Sequence, residues 1–404
     1  MNTKHLKARI LDLALQGKLV ENSRISSDLN SRIPSDFNPP FEIPNSWAWV
    51  NISDICNSIT AGGDKPKNIS NTKTQDFQIP IYTNAVANQG LYGYTDKPTI
   101  TNEAITISAR GTIGYAAIRT EPFYPIVRLI VLSLNSNLTL TKFIYFAILS
   151  LGIKSEGTST PQLTIPSLKK QLFIPLPPLD EQERIVKKID ELFSQIDILE
   201  TSKQNLLKNI RHTKARILDL ALQGKLVENS RIPNDLNSRI PSDFNPPFEI
   251  PNSWAWVKIS EIIQEQPKSK IQVKEASLNK KYLFFTSGNK IYTCSEFLVK
   301  GQNIFLNTGG MAGVKFYDGE CAYSTDTYTL TSSQKSITKF LFYLILSNIK
   351  YINDFYFRGV GLKHLNKKEF KEMYIPLPPL DEQERIVKKI DELFEILEVI
   401  ENSL

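Results

Sequence analysis

The chain has 404 residues, 41% of them apolar and 22% charged, which is enough for two or more globular domains and excludes a disordered or fibrous polymer. A net charge of +6 and a pI near 8.9 tilt the choice of partner mildly toward a polyanion. Three scattered cysteines (Cys56, Cys294, Cys321) and three unclustered histidines point to a reducing, cytoplasmic setting, with no structural metal and no cofactor expected.

In chain order, the first expected element is an amphipathic helix within residues 1–22. Its segment "MNTKHLKARILDLALQG" has no long apolar stretch and does not read as a signal peptide. The first variable domain, with a proline-rich linker leading into it, is expected over 23–178. Four prolines between 34 and 44 make that stretch an extended connector, ending at Trp47 and Trp49 in the base of the domain. The apolar run "FIYFAILSLGI" at 143–153 is too short to span a bilayer and reads as a core helix, so no membrane partner is expected.

A long central helix follows over 179–226. From Asp180 to about Gly224 there is no proline, and apolar residues recur at steps of four and three: Ile185, Ile189, Leu192, Ile196, Leu199, then Leu206, Ile210, Ile217 and Leu220. Asp180 is expected to cap this helix, with Glu183 completing a capping box. A second domain with its linker is expected over 227–379, and a last helix over 380–404. Ile386, Ile390, Leu393, Leu397 and Ile400 continue the seam there, and Ile10 and Leu13 supply its remainder.

Self-similarity organises the rest. Residues 5–50 and 212–257 match at 43 of 46 positions, and "IPLPPLDEQERIVKKIDELF" occurs unchanged at 174–193 and 375–394. The segments between differ almost throughout, yet "ISARGTIGYAAI" (107–118) aligns with "LNTGGMAGVKF" (306–316), and "TKFIYFAILS" (141–150) with "TKFLFYLILS" (338–347). The expectation is an α+β protein: two α/β domains with β-rich cores, joined by long helices in an antiparallel coiled coil, pseudo-twofold and circularly organised. Two unrelated long helices in separate domains are the plainer alternative.

Enzymatic readings fail on context. "NPPF" at 38–41 and 245–248 is the tetrapeptide with which amino-methyltransferases grip adenine. Here it follows a proline-rich connector rather than a buried strand, and no glycine-rich methyl-donor loop precedes it. "LQGKLV" lacks the first glycine and the Ser/Thr of a phosphate loop. No nucleophile, base or carboxylate pair suggests itself. A nearly constant frame with divergent paired domains suits recognition of two different surfaces at fixed spacing. A helix of roughly 45 residues is on the order of 65 Å long, and duplex DNA is the polymer for which such spacing matters most. Four residues inserted into it add about 6 Å. A coiled-coil adaptor for proteins and a self-contained DNA adenine methyltransferase remain as alternatives. Binding to DNA that weakens with salt speaks against the first, and absence of bound methyl donor against the second.

The repeated "IPLPPLDEQERIV" block, the Pro44–Trp47 and Pro251–Trp254 spacing, the "ISARGTIG" and "NTGG" turns, and "GTSTPQL" (157–163) with "GVGLKHL" (359–365) together resemble the specificity subunit of type I restriction-modification enzymes over the whole chain. The resemblance implies a non-catalytic subunit that binds double-stranded DNA, with two target recognition domains each reading one half of a split sequence. Its helices would dock two methyltransferase (modification) subunits, and motor-nuclease (restriction) subunits would join the full complex. Candidate DNA contacts are polar or basic groups of the glycine-rich turns and nearby loops. They are Lys65, Lys67, Asn84, Arg110, Thr160 and Gln162 in the first domain, and Lys268, Lys270, Lys290, Thr325, Arg358, Lys363 and His364 in the second. Arg and Lys suit guanine edges or phosphates, Asn and Gln suit adenine.

Overall fold

The computed structural model describes residues 3–24, 33–34, 37–154, 161–231, 244–332 and 335–404. The chain divides into two compact units, Met1–Ser202 and Lys203–Leu404, and the division falls inside one helix.

The first unit runs α1 (Thr3–Leu15), β1 (Ala48–Asn51), β2 (Cys56–Ala61), β3 (Ile79–Tyr82), β4 (Leu91–Thr95), β5 (Ala104–Ile107), β6 (Ala116–Arg119), β7 (Tyr124–Pro125), β8 (Ile130–Leu134), α2 (Thr141–Leu151), α3 (Ile165–Gln171), β9 (Phe173–Leu176) and the first half of α4 (Leu179–Leu222). The second takes the rest of α4, then β10 (Ala255–Lys258), β11 (Ile263–Glu265), β12 (Tyr282–Phe285), β13 (Tyr292–Cys294), β14 (Gln302–Asn307), β15 (Val314–Asp318), β16 (Cys321–Tyr323), β17 (Thr327–Ser332), α5 (Lys335–Ser347), α6 (Ile349–Tyr356), β18 (Phe357–Arg358), β19 (His364–Leu365), α7 (Lys367–Lys371), β20 (Tyr374–Leu377) and α8 (Leu380–Ser403).

Two sequences that differ almost throughout build one topology. The first unit has a four-stranded sheet β2-β8-β5-β6, a three-stranded sheet β4-β3-β7 and the pair β1-β9; the second has β11-β17-β14-β15, β13-β12-β16 and β10-β20, and adds the short pair β18-β19. In each three-stranded sheet one pairing is parallel, β3 with β7 and β12 with β16. The repeated blocks close each unit in the same register, Ala48 opposite Leu176 and Ala255 opposite Leu377. The central strands are buried on both faces, as their β-branched composition favours: Ile105 and Ile107 beside Val131 and Leu132, Ile304 and Leu306 beside Leu330. Helices α2 and α5 cover these sheets with Phe143, Ile144 and Ala147, and with Phe340, Leu341 and Leu344.

The expected antiparallel helix pair is present in each unit, assembled from different segments. In the first, α1 lies along the start of α4: Lys7 pairs with Asp197 at 2.5 Å and lies over the Phe193 ring, and Thr3 Oγ1 donates to Glu200 at 3.2 Å. In the second, the end of α4 lies along α8: Lys214 pairs with Glu401 at 3.1 Å and Glu398 at 3.8 Å and lies over Phe394. Lys214 repeats Lys7 and Phe394 repeats Phe193, so the pair in the second unit is that of the first with the order of its two segments along the chain kept: the lysine helix precedes the phenylalanine helix in both.

Seam positions Ile185, Ile189, Ile196, Ile210, Ile386 and Ile390 are buried, and Leu192, Leu393 and Leu397 half-buried. Leu199, Leu206 and Ile400 are 56%, 39% and 38% exposed, a departure from the continuous seam. The cause is overlap: α1 reaches only as far as Glu200, and α8 ends where Lys203 donates to the Leu404 carbonyl, so these side chains lie at the ends of the paired stretches.

The capping box is not formed. The helix begins one residue earlier, at Leu179, because the Pro178 carbonyl already accepts from the N–H groups of Glu181 and Gln182. Asp180 instead accepts from Ser23 Oγ (3.0 Å) and Arg184, which hold its carboxyl below the usual range, Arg184 first. The side chain that turns inward is Glu181. It is wholly buried and accepts from Trp47 Nε1 (3.0 Å), Asn22 Nδ2 (3.0 Å) and the Ser23 N–H (2.9 Å). Glu382 repeats this with Trp254, Asn229 and Ser230 at 2.8–2.9 Å.

The glycine of "LQGKLV" ends the helix before it. Gly17 has a φ of +66° and its neighbour Lys18 donates back to Leu13, the geometry of a glycine C-cap. A Cβ at Gly17 would lie 2.2 Å from Pro44, so the turn and the linker require each other.

Candidate nucleic-acid interface

In both units the glycine-rich turn of the central hairpin meets the loop before a short helix, α3 in the first and α7 in the second. Between β5 and β6 the turn closes through Gly114 N–H to the Ser108 carbonyl, with Gly111 and Gly114 at φ of +70° and +85°; Gly310 stands at +81° in the β14–β15 turn. The later loop then docks on it by the same bond, Leu163 N–H to the Ala109 carbonyl (2.9 Å) and Leu365 N–H to the Thr308 carbonyl (3.0 Å). Two stretches some fifty residues apart in sequence thus form one edge in each unit.

The side chains on that edge differ. In the first unit Arg110 donates to Gln162 Oε1 at 3.1 Å, and Arg110 is exposed. An arginine fork braced by an amide presents donors and acceptors together, the chemistry that reads base edges. In the second unit the position of Arg110 is taken by Gly309, whose Cβ would lie 3.4 Å from the His364 ring. The Gly310 N–H donates to the Lys363 carbonyl (2.9 Å), and β18 pairs Arg358 with His364. Arg358, Lys363 and His364 are therefore gathered on one exposed hairpin, with Glu369 3.3 Å from Arg358. Thr160 lies outside the described residues.

The remaining candidates flank these edges. Lys65 and Lys67 are exposed on the β2–β3 connection, where the Lys65 ammonium bonds the Tyr92 hydroxyl and lies 4.3 Å over its ring. Asn84 is a tie: its Oδ1 accepts from the Ala109 N–H (2.7 Å), its Nδ2 donates to the Val127 carbonyl (2.6 Å), and its own carbonyl accepts from Ser108 Oγ (3.0 Å). The amide edge expected to meet adenine is engaged within the protein. Lys268 and Lys270 are exposed after β11, and Thr325 docks its N–H on the Ile271 carbonyl beside them. Lys290 lies 5.3 Å over the Tyr292 ring. Burial lowers the Lys367 pKa; Glu265 opposes the shift, and Lys268 and Lys371 add to it.

A further basic side chain lies near this edge. Arg128 is exposed between β7 and β8, inside "YPIVRLIVLSL", which has the composition of an uninterrupted strand. Val127 and Arg128 instead adopt left-handed backbone, φ +55° and +59°.

"NPPF" is accounted for by packing. Phe37 packs edge-on or tilted against Phe173 and Trp49 (4.3 and 5.5 Å between ring centroids) and Phe41 against Trp49 (5.2 Å); Phe244 and Phe248 repeat this on Tyr374 and Trp256. Asn38, which would hold the adenine in a methyltransferase, is exposed on the outside of this cluster. Among the described residues no group of His, Cys, Asp and Glu could hold a metal ion, and no helix is long and apolar enough to cross a membrane. Burial pushes the Cys56 and Cys321 thiols up to about 12.

A family model for the type I restriction modification DNA specificity domain matches residues 44–209 and 251–404. The type I restriction enzyme EcoDI specificity subunit of Escherichia coli is 23% identical over 396 residues, covering 90% of this chain and 84% of its own length. Two solved chains share the fold at 16% identity. One, from work on assembly and conformational transition of the type I R-M system, has a TM-score of 0.63 over 90% of this chain and 94% of its own. The other, the HsdS subunit of Thermoanaerobacter tengcongensis, has 0.54 over 90% and 93%.

Proposed function

The chain belongs to the type I restriction modification DNA specificity family, and from that premise we propose that it is the non-catalytic DNA-reading subunit of a type I restriction-modification complex. Each unit reads one half of a bipartite target. The observation that carries this reading is the pairing of one junction with two side-chain sets, Arg110 with Gln162 against Arg358, Lys363 and His364, on frames repeated almost residue for residue. An adaptor for a single partner needs no such divergence. Lys65, Lys67, Lys268, Lys270, Lys290 and Thr325 flank these centres as phosphate or base contacts, and Asn84 holds the first centre in shape.

The helix pairs serve as seats for two modification subunits, with restriction subunits joining the larger complex. Ile198 and Leu199 on α4, and Ile396, Val399 and Ile400 on α8, are exposed apolar side chains, and they suit a protein partner.

The test is base-resolution mapping of methylated adenine in cells expressing the chain with its modification partner, against cells lacking the chain. A split motif of two short halves with a fixed gap, present only with the chain, is expected; unchanged methylation overturns the reading. Arg110→Ala and Arg358→Ala, made separately, should each relax one half only, at a cost of roughly 1–3 kcal/mol in discrimination.

A further inference from the structure

The left-handed pair Val127–Arg128 is held by three bonds. The Val127 N–H donates to the Gly63 carbonyl (2.9 Å), the Arg128 N–H to the Gly62 carbonyl (2.8 Å), and the Val127 carbonyl accepts from Asn84 Nδ2 (2.6 Å). Gly62 can be nothing larger, since a Cβ there would lie 2.7 Å from the backbone of Pro125 and Ile126. Left-handed backbone is disfavoured for residues other than glycine, and most of all for a β-branched one such as Val127. A second left-handed pair, Asn88–Gln89 (φ +49° and +54°), lies in the loop that Asn84 begins, and Arg119 braces it by donating to the Gln89 carbonyl at 2.6 Å from above the Tyr82 ring. Asn84 joins these features to Arg110, because its Oδ1 accepts from the neighbouring Ala109 N–H. Arg128 therefore stands on the same hydrogen-bonded rim as Arg110, on a backbone fixed at some expense.

The second unit gives the comparison. Its Ser324 and Thr325 make the bonds that Ile126 and Val127 make, to Phe285 and Ile271 in place of Tyr82 and Gly63. The counterpart of Arg128 is thus Asp326, half-buried and bonded to Ser324 Oγ. One position carries an exposed cation in one unit and an internally bonded carboxylate in the other. The neighbouring lysines can supply charge for phosphates without any constraint on backbone; an arginine on a backbone held this closely suits a contact that needs direction.

We propose that Arg128 is a specificity-determining residue of the first unit, its guanidinium reading a guanine edge within the half-target that this unit recognises. The proposal rests on the DNA-reading function above. Its test is adenine-methylation mapping of the whole complex carrying Arg128→Asn, and of a second carrying Arg128→Gly, both residues at ease in left-handed backbone. The expected result is that one base position in one half becomes degenerate, with discrimination there falling roughly tenfold to a hundredfold and the other half unchanged. An unchanged motif overturns the proposal. So does a uniform loss across sites with the motif intact, which marks a phosphate contact, and so does loss of all methylation by both variants at an unaltered melting temperature. Absence of a split motif with the wild-type chain would instead be the failure of the DNA-reading function itself.

Discussion

Glu181 carries no access to solvent, and its two oxygens take three donors from the linker and the domain base. Removing the carboxylate leaves the buried indole N–H of Trp47 without an acceptor and loses the bonds to the half-buried Ser23 N–H and to the Asn22 amide, which keeps its bond to the Gly17 carbonyl. Glu181→Ala should cost about 2–4 kcal/mol, read as a shift of the denaturant midpoint; a change within 0.5 kcal/mol would show that the bonds exchange freely with water. The cysteines respond to pH in the opposite sense to an activated thiol. With Cys56 and Cys321 pushed up to about 12 by burial, the thiolate fraction at pH 8 is on the order of 10⁻⁴. Native protein should react with iodoacetamide at those residues far more slowly than urea-unfolded protein. A folded pKa raised above the unfolded value near 8.5 means that the neutral thiols favour the fold below about pH 8.5. That contribution declines as pH rises toward 12. Rapid labelling of either residue in the native chain at pH 8 would contradict this placement.

Among the elements, the long helix was legible because a heptad repeat needs only spacing to declare itself, and Ile185, Ile189, Ile196 and Ile210 are buried where that spacing puts them. How far each partner helix reaches is not written in the heptad, so Leu199 and Leu206 could not be told from Ile196. Ile189→Ala should cost about 2–5 kcal/mol in the chain alone, whereas Leu199→Ala should cost less than about 1 kcal/mol, both by chemical denaturation. Equal costs would mean that Leu199 is covered in solution. The glycine-rich turns were legible through Gly111, Gly114 and Gly310, whose positive φ values the sequence advertises. The Val127–Arg128 turn was hidden for the converse reason. Its left-handed backbone is imposed by bonds from Gly62, Gly63 and Asn84, residues more than forty positions away, onto a segment whose local preference is for strand. The ties that Asn84 makes were hidden for the same cause, since nothing nearby in sequence announces that Ala109 and Val127 converge on it.

At the scale of the molecule, the contacts that seat a variable segment on its frame are the same in both units. Lys142 pairs with Asp190 at 2.7 Å as Lys339 does with Asp391 at 2.6 Å, the register of β1 with β9 is that of β10 with β20, and the buried glutamate takes equivalent donors. Exchanging residues 51–173 with 258–374 should therefore give a folded protein whose methylation motif has its halves transposed. Melting temperature and adenine mapping check this together, and a chain that fails to fold would show that the segments are fitted to their own seats. If either segment suits either seat, then a genetic crossover anywhere inside the repeated blocks yields a working protein at once. The duplicated frame makes new pairings of half-sites reachable in a single inheritance event, with no compensating mutation along the way.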